Sequence, residues 1–399
     1  MTVRRHLLPA SAWRAGAAVL AMAAAMASAG AAPRVPADDN EVVESLPTVA
    51  GWSREARAMR RELQQRPTDA AVAIAAAARY LELARSQGDA RYAGHAMGAL
   101  AHWAALPPSA TPPAVLVMRA TIAQFLHDFD GAEMLLKAAL ARQPSNAQAL
   151  ITLATIYRVR GRYDDSDAAC RALGRVGPAL YGLACMAENA GLRGNHGEAR
   201  DALKTLLEAP SLQAREQAGT RQWLLTSLAE IEELAGRPAE AGVAYRLALR
   251  AERSGYLLLA YSDYLQRAGR SREIPALLDT EARSDAVLLR MAIAARGLEG
   301  ARTATAAAEL KARFDAAAER PGTGAVHARE EAMFALDVEG DARRALDLAR
   351  LNVQLQREPI DLLLFARAAV AAKDEPARAE VRALVRQIGL RDARVDALL

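Results

Sequence analysis

Histidine is the residue type here that most often binds metal ions, and the chain has six histidines. His95 and His102 are seven positions apart, which on a helix places them near one face but two turns from each other. That is too far for both to ligate one ion without ligands from elsewhere. No HExxH or CxxC spacing occurs in the sequence. The sequence therefore predicts no metal site and no cofactor.

Two other patterns resemble chemical sites but have simpler structural explanations. Residues 193–197 are glycine-rich, yet both glycines fall where a turn between helices is expected. The acidic neighbours Glu232 and Glu233 would diverge by about 100° on a helix, so the two carboxylates cannot flank one bond. The sequence also lacks a P-loop, a dinucleotide fingerprint and a GxSxG elbow. These observations predict a protein that is not an enzyme.

A repeat with a period of 34 residues organises the middle of the chain. Pro144 and Pro178 are 34 residues apart, and the same shift aligns Leu116 with Leu150, Ala120 with Ala154, and Phe129 with Tyr163. Residues 146–163 closely resemble the tetratricopeptide repeat, with Leu150, Leu153, Ala154 and Tyr157 at the consensus places. The resemblance implies an all-α fold, a right-handed α-solenoid of antiparallel helix pairs.

Composition and the repeat together predict the organisation of the chain. Apolar residues make up 52% and aromatic residues only 5%, which suits closely packed helices. Looser repeats flank the strong ones, and about nine helix pairs are expected. We divide the chain into a secretion signal (1–31), a flexible linker (32–50), a capping helix with a degenerate repeat (51–112), tetratricopeptide repeats (113–283), and degenerate pairs with a C-terminal cap (284–399).

The N-terminus has the features of an export signal. Arg4, Arg5 and Arg14 precede an apolar run over residues 15–27, and small residues follow, which favours cleavage after Ala29 or Ala31. An uncleaved membrane anchor is the alternative, although the run is shorter than the roughly 20 residues that a span requires. The signal predicts a periplasmic protein without a membrane span after cleavage.

The net charge gives no reason to expect a nucleic-acid partner. The chain has 51 basic and 47 acidic residues, and removal of the three signal arginines leaves 48 basic residues against 47 acidic ones. Basic and acidic residues alternate along the predicted helices. That pattern is typical of a solvated, ion-paired surface and not of a phosphate-binding track.

Cys170 and Cys185 are the only cysteines. The repeat resemblance implies that they lie on two helices that pack together, and an exported chain meets an oxidising compartment. A disulfide between them is one reading. Two small apolar core residues are the other.

The resemblance also implies a ligand-binding groove, because the first helix of each pair lines the concave surface in this family. The residues expected to line the groove are Gln124, Thr155, Arg158, Tyr181, Glu188, Trp223, Glu230, Glu233, Tyr256, Asp263 and Gln266. Aromatic side chains beside unpaired carboxylates suit a basic or polar extended segment of a protein or peptide partner. The alternative is that Trp223 packs under a loop and the glutamates pair with arginines of neighbouring repeats.

The sequence thus favours a non-enzymatic scaffold or assembly factor of the bacterial envelope. A structural arm that makes contact through the edges of the solenoid is a second possibility. A cell-wall enzyme on a helical superhelix, such as a lytic transglycosylase, is a third, but it requires a separate catalytic domain. A fold alone does not choose among these functions.

Overall fold

The computed structural model describes residues 52–296, 301–318 and 327–399. The predicted signal and the predicted linker lie outside these ranges. Contacts divide the chain into a unit that ends at Ala58 and a compact unit from Met59 to Leu399. Of the first unit, the structure describes only the beginning of helix α1, Trp52–Gln65.

The described residues contain helices and no strand, and the prediction of an all-α solenoid is confirmed. Nine consecutive helix pairs follow α1 in these residues. The first five pairs are α2 Ala70–Gln87 with α3 Arg91–Ala99, α4 Pro113–Phe125 with α5 Phe129–Arg142, α6 Ala147–Val159 with α7 Tyr163–Val176, α8 Ala179–Leu192 with α9 His196–Leu207, and α10 Ala218–Leu234 with α11 Pro238–Ala251. The last four are α12 Gly255–Arg267 with α13 Ile274–Leu278, α14 Asp285–Ala295 with α15 Ala301–Ala318, α16 Ala328–Phe334 with α17 Ala342–Leu355, and α18 Pro359–Ala371 with α19 Glu375–Ile388; α20 Ala393–Asp396 ends the chain.

Local sequence fixes where these helices begin and turn. Asp128 and Asn146 cap α5 and α6, because their side-chain oxygens accept backbone N–H groups of Gly131 and Ala149 at 2.9 Å. Gly161 makes the turn between α6 and α7 with a φ of +71°, a conformation that favours glycine. The helix boundaries therefore follow from capping and turn residues that are readable in the sequence.

The sixth pair departs from the regular repeat. Its second helix, α13, is only five residues long and follows a 3-10 turn over Ser271–Glu273. Ser284 then begins α14, with its Oγ accepting the backbone N–H of Val287 at 3.3 Å. Because α13 ends early, the second helix of this pair is shorter than those of the other pairs.

The first helices form the inner side of the curve. Most successive first helices contact one another more extensively than successive second helices do, so the stack bends with the first helices inside. The core between helices is rich in fully buried alanines such as Ala154 and Ala229. Small side chains allow the backbones to approach closely, as the composition predicted.

The C-terminal pairs fold back onto the turns of the earlier pairs. The backbone N–H of Arg357 donates to the carbonyl of Val159 at the end of α6 (2.6 Å), and that of Arg391 donates to the carbonyl of Leu192 at the end of α8 (2.9 Å). These bonds satisfy carbonyls that a helix end leaves without a partner. Ile388 lies against the Gly161 turn. The solenoid therefore curls until its last units contact the third to fifth pairs.

Helices α7 and α8 approach closely and are joined covalently. A Cβ atom added at Gly182 would lie 2.5 Å from the Cα of Gly174, so only glycine fits this crossing. The sulfurs of Cys170 and Cys185 lie at bonding distance beside it, with the two Cα atoms 5.6 Å apart. No helix in the described ranges combines the length and the apolar character needed to cross a membrane.

Candidate functional site

The inner face of α10 carries the centre of the candidate site. Trp223, Ser227 and Glu230 follow one another at intervals of four and three residues, which places them on one helical stripe. The Trp223 ring stacks against Tyr181 of α8, with ring centroids 6.0 Å apart. Trp223 is thus held against Tyr181 of the neighbouring first helix.

Glu188 of α8 ties three inner helices together. Its Oε1 accepts the indole N–H of Trp223 at 3.0 Å and the hydroxyl of Ser227 at 2.5 Å. Its Oε2 accepts from the guanidinium of Arg158 on α6. Both carboxylate oxygens are occupied, so Glu188 positions the aromatic side chain and is not a free acidic group.

Glu233 and Asp263, which the sequence placed in the groove as unpaired carboxylates, are buried in intramolecular ion pairs. Glu233 accepts from Arg267 at 2.6 Å and from the Tyr245 hydroxyl at 3.0 Å, and Arg394 lies 3.3 Å away. Asp263 accepts two hydrogen bonds from Arg290, at 2.9 and 2.7 Å. Neighbouring helices supply these arginines, and the two carboxylates serve the stability of the solenoid.

Glu230 differs from the other carboxylates of the inner wall. In the part of the chain that the structure describes, no basic side chain forms an ion pair with it. Its one direct partner there is the hydroxyl of Tyr256 on α12, which donates to Oε1 at 2.5 Å. Tyr256 is 63% exposed. Glu230 and Tyr256 therefore form an acidic and aromatic pair that water can reach.

The surroundings of Glu230 disfavour its charged form. Burial, together with the smaller effect of the nearby carboxylates of Glu233 and Glu358, raises the pKa of Glu230 to about 7. The hydrogen bond from Tyr256 and the charge of Arg158 act in the opposite direction. Burial also raises the pKa of Tyr256, although its ring is exposed. A side chain on a concave wall can have a raised pKa and an exposed ring together, because water reaches it although protein surrounds it.

A cavity of about 230 Å³ lies farther along α12, between this helix and α18. Its lining residues are Asp263, Gln266, Arg267, Met333, Ile360, Leu363, Leu364 and Arg367. Two of the predicted groove residues, Asp263 and Gln266, thus face the C-terminal pairs across a small space. The sequence did not predict the α18 residues of this cavity. The repeat pattern is weak beyond residue 284, so groove positions could not be assigned there.

The two remaining predicted residues lie on helices that precede α8. Gln124 on α4 and Thr155 on α6 are half-buried, and the Thr155 hydroxyl donates to the Ile151 carbonyl of its own helix at 3.0 Å. Ser227 was not among the predicted residues, although its spacing from Trp223 could have revealed it. Across the described ranges, no three or more His, Cys, Asp or Glu side chains form a group that could hold a metal ion.

The family of the repeats follows from a comparison with known protein families. Residues 126–181, from the end of α4 to the start of α8, match the tetratricopeptide repeat. This segment of the chain thus contains a tetratricopeptide repeat. Paired helices with glycine turns, as observed here, are the structural unit of this family. Tetratricopeptide repeats act as scaffolds for protein partners, and the observed fold is consistent with that role.

Several solved structures are similar to this chain. PilF of Pseudomonas aeruginosa is 18% identical, with 51% of this chain and 92% of that chain covered and a TM-score of 0.36. A tetratricopeptide repeat protein of Parabacteroides merdae is 16% identical, with 63% and 97% covered and a TM-score of 0.35. Yeast Tom70 is 12% identical, with 87% and 88% covered and a TM-score of 0.27. A comparison with curated proteins gave no match.

Proposed function

We propose that this tetratricopeptide repeat protein is a non-enzymatic scaffold or assembly factor of the bacterial envelope, which holds a basic segment of a protein partner on its inner wall. The observation that carries the proposal is Glu230. Glu188, Glu233 and Asp263 each have an arginine partner, whereas Glu230 has only the Tyr256 hydroxyl among the described residues. Within the described ranges, this carboxylate has no basic partner.

The chemistry of the wall suits a lysine or arginine side chain. Ionic attraction is stronger in the partly desolvated concavity than on an open surface, since water screens it less there. The exposed ring of Tyr256 offers a face for a cation beside the Glu230 carboxylate. The stacked pair of Tyr181 and Trp223 continues the aromatic wall. An extended basic segment could thus use both charge and aromatic contacts.

The location in the envelope rests on the sequence features of residues 1–31 and is supported by the pairing of Cys170 with Cys185. Disulfides persist mainly in oxidising compartments such as the periplasm. Sequencing the N-terminus of the protein isolated from the periplasm tests this part of the proposal. We expect a chain that begins after Ala29 or Ala31, and an intact N-terminus in the cytoplasm would contradict it.

The binding site is tested by crosslinked capture from the envelope fraction of the native host. We expect wild type to capture a partner and Glu230→Lys to lose it, because a lysine there repels a basic segment. Asp201→Lys on the exposed side of α9 is the matched control, since it makes the same charge change away from the inner wall. Equal capture by all three proteins would reject the inner wall as the binding surface.

Contact through an edge of the solenoid is less favoured. The edge formed by the turns at Gly161, Gly194 and Gly236 is already covered by Ile388, Arg391 and Ala393 of the same chain. A partner on that edge would have to displace these residues.

A further inference from the structure

We infer that the cavity between α12 and α18 is a second subsite, which takes a large apolar side chain from the partner segment whose cation binds Glu230. The inference rests on the proposed function and names a further requirement for the partner. It concerns a surface that arises only because the C-terminal pairs fold back over the earlier ones.

Half of the residues that line the cavity are apolar, and these come from the C-terminal helices α16 and α18. Leu363 and Leu364 of α18 and Met333 of α16 are buried, and Ile360 is half-buried. The cavity volume of about 230 Å³ is many times the roughly 10–15 Å³ that one water molecule requires. A branched or aromatic side chain can therefore enter and bury its surface against these residues.

The charged groups of the lining already have partners of the opposite charge. Arg267 pairs with Glu233 at 2.6 Å, and Asp263 pairs with Arg290 at 2.7 Å. Arg367 pairs with Asp337 of the π-helical turn Ala335–Glu339, at 2.5 and 3.2 Å. A second charge entering the cavity would lose its hydration without gaining a free counter-ion. The cavity thus favours a neutral side chain, whereas Glu230 favours a cation.

Gln266 at the same cavity offers a polar contact to the backbone of the segment. Within the described part of the chain, its side-chain amide has no hydrogen-bond partner, and the residue is half-buried. An amide both donates and accepts, so it can pair with the N–H or C=O of an extended peptide. Gln266 would hold the backbone while the apolar side chain fills the cavity.

The spacing of the two subsites sets the spacing of the partner's residues. Tyr256 precedes Asp263 and Gln266 on α12 by seven and ten residues, which is about 10–15 Å along the helix. An extended chain advances about 3.3 Å per residue. The arginine or lysine and the apolar residue of the segment should therefore be about three to five positions apart.

The test uses synthetic peptides that carry one arginine and one leucine in a glycine and serine background, with the separation varied from one to about eight positions. Binding to the full-length mature protein is measured by fluorescence anisotropy. We expect the tightest binding at separations of about three to five. Replacement of the leucine by serine should weaken that peptide at least about tenfold, because a buried leucine is worth that much or more.

Two variants locate the subsite. Ile360→Trp places a larger side chain in the cavity and should remove the preference for a leucine while the need for arginine remains. Val243→Trp, at a 49% exposed position on α11, is the matched control and should bind like wild type. Thermal unfolding of both variants checks that they are folded. Gln266→Ala, which leaves the apolar walls intact, gives a second measurement if Ile360→Trp does not fold, and it should weaken the best peptide severalfold.

The outcomes separate the inference from the proposed function. Binding that needs the arginine but is indifferent to the leucine and its position overturns the second subsite alone. An unchanged leucine preference in Ile360→Trp and in Gln266→Ala does the same. Binding that is indifferent to the arginine and to Glu230→Gln, or no binding of any peptide, overturns the proposed function together with the inference.

Discussion

Glu230 and Glu233 lie three residues apart on α10, and the structure gives these two carboxylates opposite roles. Glu233 is 7% exposed and is part of the network that joins α10 to Arg267 and Arg394. Glu230 has the Tyr256 hydroxyl as its direct partner. Replacing each glutamate by glutamine keeps the size of the side chain and removes only the charge, so the pair of variants compares the two roles directly.

Glu233→Gln should destabilise the protein, because it removes the charge of a buried ion pair. Removing one partner of a buried ion pair costs roughly 3–5 kcal/mol, because the remaining charge is left without compensation. Arg394 keeps a second carboxylate partner, Asp392, at 2.7 Å. We therefore expect a loss near the lower end of that range, about 3 kcal/mol.

Glu230→Gln should have the opposite effect, and only at high pH. The pKa of Glu230 is raised from 4.5 to about 7, so the folded state holds its proton more tightly than the unfolded state does. Stability from this group is complete below about pH 4.5 and is lost as the pH rises through about 7. The shift corresponds to about 3 kcal/mol, less what water on the inner wall screens. Glutamine has no charge to desolvate and still accepts from Tyr256.

Thermal unfolding followed by circular dichroism at about pH 5 and about pH 8.5 tests both expectations. Glu233→Gln should lower the midpoint at both pH values. Glu230→Gln should match wild type at the lower pH and unfold at a higher temperature than wild type at the higher pH. If Glu230→Gln is destabilising at the higher pH, or if both variants behave alike, the assignment of one carboxylate to stability and the other to binding is wrong.

Three further predictions concern binding, the disulfide and the C-terminal contact. Affinity for an arginine peptide should rise with pH through about 7, as Glu230 ionises, and Glu230→Gln should abolish this dependence; a flat wild-type profile would contradict it. Thiol titration of the unfolded, unreduced protein should detect no free thiol, and two free thiols would exclude the bridge. Cys170→Ala should lower the free energy of unfolding by roughly 3 kcal/mol, since the bridge closes a separation of 15 residues. Gly161→Ala should cost about 1–2 kcal/mol more than Gly269→Ala, because both glycines have φ near +70° but only the Cβ at residue 161 would meet Ile388, at 2.9 Å. Equal losses of stability in the two variants would show that Ile388 moves to make room for the added Cβ.

Much of the fold could be predicted because its determinants are local. Helix α1 covers Trp52–Gln65, and Gly340 makes a turn with a φ of +75°. Capping side chains, turn glycines and the 34-residue period all act within one repeat or between neighbours. The short α13 could not be predicted, because the repeat pattern indicates a pair and does not set the length of its second helix.

The roles of the residues in the candidate site could not be predicted from local sequence. Helical spacing alone places Trp223, Glu230 and Glu233 on α10 and makes them look alike as groove residues. Only the tertiary structure distinguishes them, because Arg267, Arg394 and Tyr256 come from helices whose positions depend on the curvature of the whole stack. The sequence determined a helical repeat with an acidic and aromatic inner stripe. The packing of neighbouring pairs decided which carboxylate has no arginine partner among the described residues. The folding back of the C-terminal pairs created the cavity beside α18.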